Sequence, residues 1–85
     1  DYRIVDVETE NGGVTFSIDS ENSRWNYIRI EVPGMHNVMN ATAAWLAGYF
    51  AGLTISELRE GLKTFKGVKR RFEIYYKSET KVYID

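Results

Sequence analysis

The feature that most constrains this chain is a glycine-rich turn between two runs of residues. Asn11-Gly12-Gly13 follows a run in which apolar and charged residues mix, and it precedes a run with an apolar residue at every second position: Val14, Phe16 and Ile18. A period of two is typical of a strand with one buried face. Glycine accepts the positive φ angles that a tight hairpin turn requires. Residues 2–19 are therefore predicted to form an antiparallel hairpin.

A third strand and two helices are predicted next. The strand lies at positions 27–32 and ends at Pro33-Gly34, because proline has no N–H to donate to a sheet. The stretch 37–51 is rich in alanine, with a stripe at helical spacing, and Gly52 is a suitable stop. Thr54 and Glu57 have the spacing of a capping box, which opens a second helix that ends near Gly67.

The last segment, residues 68–85, is predicted to form a pair of short strands. Residues alternate at 72–76, a turn follows at 77–80, and Val82-Tyr83-Ile84 is the second strand. The predicted fold class is α+β: a three-stranded antiparallel sheet, two helices and a C-terminal strand pair. Since the chain starts at Asp1 and the last strand reaches its end, we expect the natural protein to extend further.

Composition excludes several classes of protein. Hydrophobic residues make up 44% and charged residues 27% of the 85 positions, as in ordinary globular domains. There is no cysteine, which excludes a disulfide scaffold and a cysteine zinc site, and a single histidine argues against a histidine metal cluster. No apolar run is long enough to span a membrane. We expect no metal site in these residues, no nucleic-acid partner and no membrane association.

The most unusual stretch is Pro33 to Ala44, where polar residues stand at the start of an apolar helix. His36 and Asn40 are four residues apart, and Asn37 and Asn40 are three apart, so both pairs share a helix face. The free N–H groups of a helix start suit an anionic or hydrogen-bonding ligand. The alternative interpretation is structural: Asn37 is an N-cap and His36 is a loop residue.

A second candidate is the basic segment Gly67 to Glu73. Lys69, Arg70 and Arg71 follow a predicted helix stop, and arginine can hold a phosphate through two parallel hydrogen bonds. Charge is uneven along the chain, with seven acidic and three basic residues in 1–31 against three acidic and seven basic in 63–85. The alternative interpretation is a solvated charge cluster.

Together the two segments resemble the Mur ligases, ATP-dependent amide ligases of bacterial cell-wall synthesis. From Gly34, the pattern glycine, one residue, His-Asn, two residues, Asn-Ala, one residue, Ala-Ala is similar to a signature of that family. Phe65, Gly67 and Arg71-Phe72-Glu73 are similar to a second family segment about 30 residues later. The form of residues 67–73 is most similar to the member that adds L-alanine to UDP-N-acetylmuramate.

The resemblance implies a place for this chain in a three-domain enzyme with a larger α/β architecture. Residues 1–67 would be the C-terminal part of the central ATP-binding domain, and 68–85 the hinge and first strands of the C-terminal domain. His36, Asn37 and Asn40 would lie at the adenine side of the ATP site. Arg71 would contact the γ-phosphate region and serve catalysis. ATP, Mg²⁺, UDP-N-acetylmuramate and L-alanine are the implied cofactors and substrates, in the cytoplasm.

The family's phosphate loop and magnesium ligands have no counterpart in these residues. We therefore expect the isolated chain to be inactive. Because the parent would cover some of its apolar faces, we also expect it to self-associate or to be marginally stable. Two alternatives remain open at this stage. One is the murein tripeptide ligase or another Mur-type ligase, and the other is a stand-alone binding module without catalysis.

Overall fold

The computed structural model describes residues 1–66 and 82–84, which form a sheet with two helices packed on one face. The elements in sequence order are β1 (Tyr2–Glu10), β2 (Gly13–Asp19), β3 (Arg24–Ile30), α1 (Met35–Phe50), α2 (Ile55–Leu62) and β4 (Val82–Ile84). The strand order is β3-β2-β1-β4. The predicted α+β class, with three antiparallel strands and two helices, is confirmed.

The C-terminal strand joins the sheet at the free edge of β1. β4 pairs with β1 in parallel, and Tyr2, Arg3 and Ile4 lie opposite residues 82–84. The strand predicted at 72–76 as the partner of β4 lies outside the described residues. The neighbour of β4 in the described part of the protein is therefore a strand from the other end of the sequence.

The β1–β2 turn forms as the sequence predicts. Glu10 lies opposite Gly13, and the two residues between them have positive φ, at 50° for Asn11 and 81° for Gly12. Two successive left-handed residues define a type I′ turn, whose twist matches that of the flanking strands. The turn places Val14, Phe16 and Ile18 on the face that packs against the helices.

Two irregularities in the sheet explain why apolar and polar residues do not alternate regularly along β1 and β3. The β1–β2 register shifts between Val5 and Glu8, where Asp6 has a φ of 55°. This extra residue moves the inward face from Ile4 to Val7. β3 contains a second shift beside Tyr27, which also has a φ of 55°.

The prediction for the third strand is two or three residues too late. Its observed bounds are Arg24–Ile30, and Val32 lies beyond it. Tyr27, which the prediction places within the strand, has 64% of its surface exposed. The bulge turns its side chain away from the core and leaves Trp25, Ile28 and Ile30 to pack inward.

Arg29 lies across the start of β2 and makes Gly13 necessary. A Cβ atom at Gly13 would lie 2.5 Å from the carbonyl oxygen of Ile30 and 2.7 Å from Nη2 of Arg29. Arg29 donates to both carboxylate oxygens of Glu31, at 2.9 and 3.1 Å, and to the carbonyl of Glu10. These hydrogen bonds lower the pKa of Glu31 below its ordinary value of 4.5 and raise the pKa of Arg29.

Helix α1 supplies most of the helical side of the core. Val38, Ala41, Trp45 and Leu46 are buried against the sheet. Gly48 lets the second helix approach, because a Cβ there would lie 2.5 Å from Cδ2 of Leu58. α1 ends at Phe50, and Gly52 follows with a φ of 102°, in agreement with the predicted stop.

The capping box of α2 is present. The amide of Thr54 donates to Oε1 of Glu57 at 2.8 Å, and the amide of Glu57 donates to Oγ1 of Thr54 at 3.1 Å. Each bond satisfies an N–H that the first turn of a helix leaves without a partner. The start of α2 is therefore determined locally, by four consecutive residues.

Arg59 joins α2 to the bulge in β3. Its guanidinium donates to the carbonyls of Tyr27, at 2.7 Å, and Asn26, at 2.8 Å. It also lies 5.6 Å from the centre of the Trp45 ring, within the range of a cation–π contact. The Arg59 side chain thus links both helices to β3. The sequence around Arg59 did not indicate this role.

An aromatic cluster remains exposed beside the end of α1. Trp25 lies 4.9 Å from Tyr49, and Tyr49 lies 5.3 Å from Phe50, measured between ring centres. Phe50 is 62% exposed and Leu53 is 46% exposed. Self-association of the protein through such a surface stays a prediction.

Arg59→Ala should lower the free energy of unfolding by about 1–3 kcal/mol, because it removes two hydrogen bonds from a charged donor. Arg24→Ala is the matched control, since Arg24 makes exposed ion pairs with Asp6 and Asp19 that are worth about 0–1 kcal/mol. Urea denaturation measures both. An equal loss from the two variants would contradict the linking role of Arg59.

Alanine substitutions at two glycines should act in opposite directions. Gly13→Ala should cost about 1–3 kcal/mol, because the new methyl group meets a backbone carbonyl that cannot move aside. Gly61→Ala should stabilise the protein by about 0.5–1 kcal/mol, since Gly61 lies in α2 with nothing within 4 Å of its Cβ position. Melting temperatures that shift in the same direction would count against this account.

Candidate functional site

The start of α1 presents unoccupied backbone donors. Gly34 is the N-cap, with a φ of 100°, and no side chain makes a capping hydrogen bond to the helix. The first turn bonds back through the amides of Asn37 and Val38, both to the carbonyl of Gly34 at 3.1 Å. Within the described residues, the amides of Met35 and His36 therefore donate to no acceptor. The first turn also carries no acidic residue, so its positive dipole end is not neutralised locally.

Asn37 is the third residue of the helix rather than its N-cap. The interpretation of Asn37 as an N-cap is therefore wrong, because the helix begins two residues earlier than the sequence predicts, at Met35. The Asn37 amide nitrogen donates to the carbonyl of Pro33 at 2.8 Å. This bond closes the Pro33-Gly34 turn and leaves the Oδ1 atom of Asn37 available as an acceptor.

The polar residues at the start of α1 become more buried along the helix. His36 is exposed, Asn37 is half-buried, and Asn40 is only 7% exposed. Asn40 lies one turn after His36 and Asn37, between the half-buried Met39 and the buried Ala41. The amide of Asn40 therefore belongs to the packed part of α1, whereas the imidazole of His36 faces water.

One buried hydroxyl near this turn is fully accounted for. Thr42 is 0% exposed, and its Oγ1 donates to the carbonyl of Val38 at 2.8 Å. A threonine can occupy a helix interior when it bonds back to the carbonyl four residues earlier. Thr42 thus supports the helix and is not free to contact a ligand.

Arg71 and the rest of 67–73 lie outside the described residues. Among residues 1–66 and β4, no three acidic or histidine side chains lie close enough together to hold a metal ion. The start of α1 offers hydrogen-bond donors and acceptors.

Two concave regions of the described surface lie away from the start of α1. A recess of about 440 Å³ is lined by Asp1–Arg3 and Asp19–Glu21, and a groove of about 290 Å³ crosses the outer face of the sheet. Neither is lined by a residue of α1. Since His36 is exposed, a ligand bound beside it would need further walls.

No helix in the part of the protein that the structure describes is both long and apolar enough to cross a membrane.

Comparisons with known proteins place these residues within longer enzymes. The sequence is 62% identical over all 85 residues to a UDP-N-acetylmuramate–L-alanine ligase of Cytophaga hutchinsonii, of which it covers 18%. It is 36% identical over 77 residues, or 91% of its length, to the ligase of the same name from Chlorobaculum tepidum, of which it covers 16%. For that of Acetivibrio thermocellus the identity is 40% over 65 residues, 76% of this sequence and 14% of the relative.

The chain spans less than a fifth of the length of these relatives. No family model and no solved structure matches it. The resemblance that the motifs at Gly34 and Phe65 predict is nevertheless confirmed, because relatives from three different bacteria have one and the same name. The chain is homologous, over its whole length, to one segment of the Mur ligases named UDP-N-acetylmuramate–L-alanine ligase.

Proposed function

We propose that this chain is a segment of an ATP-dependent ligase that joins L-alanine to UDP-N-acetylmuramate in peptidoglycan synthesis. The observation that carries the proposal is the 62% identity over all 85 residues to a ligase of that name. Nothing in the comparisons favours a different Mur ligase or a stand-alone binding module. The substrates of the whole protein are then ATP, UDP-N-acetylmuramate and L-alanine, and its place is the cytoplasm.

The reaction proposed for the whole protein has two steps. The muramoyl carboxylate attacks the γ-phosphorus of ATP, and the bond to ADP breaks, which yields an acyl phosphate. The amine of L-alanine then attacks the acyl carbon, the bond from that carbon to the phosphate oxygen breaks, and the nitrogen loses a proton, so that an amide and inorganic phosphate remain. Magnesium would offset the charge of the phosphates, through ligands outside these residues. Because so much of the protein lies elsewhere, the isolated chain is inactive in this proposal.

The start of α1 is the part of this chain that we assign to ATP, at the adenine side. Adenine offers a donor in its exocyclic amine and acceptors in its ring nitrogens, and asparagine has one group of each kind. The free oxygen of Asn37 and the unoccupied amides of Met35 and His36 support this assignment. Asn40 would complete it from the buried side of the same helix face, with His36 at the rim.

Arg71 is assigned to the γ-phosphate, and the domain boundary to residues 67 and 68. Both assignments rest on the likeness of 65–73 to the family segment. An arginine suits the role because its planar guanidinium can hold two phosphate oxygens at once. In phosphoryl transfer, such a group stabilises charge that develops in the transition state.

A chimera tests the proposal directly. Replacing the aligned segment of the Cytophaga hutchinsonii relative with this chain should give an enzyme that releases phosphate only when ATP, UDP-N-acetylmuramate and L-alanine are all present. A well-folded chimera without this activity would overturn the proposed function. Within the chimera, Asn37→Ala should raise the KM for ATP about 2- to 10-fold, which corresponds to one hydrogen bond, and leave the KM for L-alanine unchanged.

Asn22→Ala is the matched control for Asn37→Ala. Asn22 is exposed in the β2–β3 loop, so its removal should change neither constant. If Asn37→Ala lowered thermal stability and affected both KM values equally, the residue would have only the structural role of closing the Pro33 turn.

Arg71→Lys in the chimera tests the catalytic assignment. Lysine keeps the charge but cannot form two parallel hydrogen bonds. We expect kcat to fall about 10²-fold, in the range found when one transition-state donor is removed, with a smaller change in the KM for ATP. Arg70→Lys should have no such effect, and equal losses from the two variants would argue that the segment supplies only general positive charge.

A further inference from the structure

The tip of the β1–β2 hairpin has an asparagine followed directly by a residue whose backbone nitrogen is exposed. Asn11 and Gly12 are both exposed, and they are the two residues between the paired Glu10 and Gly13. A Cβ atom built on Gly12 would meet nothing within 4 Å. Neither neighbouring groups nor the residue itself therefore obstruct approach to the Gly12 nitrogen.

Neither of these two groups is held by a hydrogen bond. Among the described residues, the Asn11 amide group has no hydrogen-bond partner, and the backbone amide of Gly12 donates to no acceptor. Turn positions of this kind leave the central N–H groups to water. No hydrogen bond to the Asn11 amide group or to the Gly12 nitrogen therefore has to break before these groups react, and the backbone turn between Glu10 and Gly13 is the restraint that remains.

The other four asparagines differ from Asn11 in the backbone N–H of the residue that follows them. After Asn22, the amide of Ser23 donates to Oγ of Ser20 at 3.1 Å. After Asn26, the amide of Tyr27 donates to Oγ of Ser17 at 3.2 Å.

For the two asparagines in α1, the backbone N–H of the following residue is engaged within the helix. After Asn37, the amide of Val38 donates to the carbonyl of Gly34 at 3.1 Å. Asn40 is buried within the helix, with Ala41 after it. Of the five asparagines in the sequence, Asn11 is therefore the one whose following nitrogen is both exposed and unbonded.

We propose that Asn11-Gly12 is a site of spontaneous deamidation, a covalent modification that requires only water. The Gly12 nitrogen loses its proton to solvent base and attacks Cγ of Asn11. A bond forms between these two atoms, the bond between Cγ and Nδ2 breaks, and ammonia leaves with a proton from solvent, which yields a five-membered succinimide. Water then opens the ring. Attack at Cγ gives aspartate, and attack at the backbone carbonyl of residue 11 gives isoaspartate.

The turn must open before the ring can close, because the succinimide requires a ψ angle at residue 11 that differs from that of a type I′ turn. Exposed loop tips open at free energies near the low end of those found in proteins. The products then act on the fold. Aspartate adds a negative charge next to Glu10, and isoaspartate adds one carbon to the backbone of a turn that admits only two residues of defined conformation.

The test is incubation of the 85-residue chain in mildly alkaline buffer, followed by isoelectric focusing, ammonia assay and peptide mapping. We expect the formal net charge to move from −1 to about −2 as one neutral amide becomes a carboxylate, with one ammonia released per molecule and the change located at Asn11. The rate should rise with pH, because the attacking nitrogen must lose its proton. Conversion that occurs first at Asn22 or Asn26, or at all asparagines equally, would overturn the proposal.

Two glycine variants complete the test. Asn11→Gly keeps a residue that tolerates positive φ at the turn and removes the reactive amide, so the charge shift should disappear while the circular dichroism spectrum is retained. Asn22→Gly should leave the rate of the charge shift unchanged. A charge shift in Asn11→Gly at the rate of the original sequence would place the reaction elsewhere and refute the assignment.

Discussion

The contact on which the rest of this structure depends is the one between Arg59 and the irregular part of β3. The bulge at Tyr27 turns two successive carbonyls out of the sheet ladder, and the guanidinium of Arg59 donates to both. Without such a donor, two carbonyls at a sheet edge would remain open to pairing with another strand. The same guanidinium lies over Trp45, so the position of α2 is coupled to the position of α1.

That coupling matters for the candidate site because α1 carries it. The helix is anchored through Ala41, Trp45 and Leu46, which are buried against the sheet, and its first turn precedes these anchoring residues. His36 and Asn37 are thus presented by a helix and not by a loop. Asn40 lies on the same polar face of the helix and is buried. The packing of α1 against the sheet therefore sets the orientation of that face. A site built this way is complete only when other parts of the protein provide the remaining walls.

At the hairpin tip, the two residues that suit the turn conformation are also the two that favour deamidation. Asn-Gly is favoured in a two-residue turn because both residues tolerate positive φ. The same absence of a Cβ atom at Gly12 leaves its nitrogen open to the neighbouring amide. At Asn22, Asn26 and Asn37, the nitrogen that follows is engaged by a serine hydroxyl or by the helix. Conformational suitability and chemical lability therefore come from the same two residues.

What the sequence alone determined are the features encoded by neighbouring residues. The Asn-Gly turn, the Thr54–Glu57 capping box and the Gly52 stop each depend on interactions within a few positions, and each was predictable. The motif at Gly34 identified the family in the same way. The tertiary structure decided the bulges at Asp6 and Tyr27, the pairing of β4 with β1 and the role of Arg59. These join residues far apart in the sequence, and no local preference favours a left-handed tyrosine. The start of α1 at Met35 rather than Asn37 is a local feature that residue preferences did not indicate, because the Pro33-Gly34 turn lets the helix begin without a capping side chain.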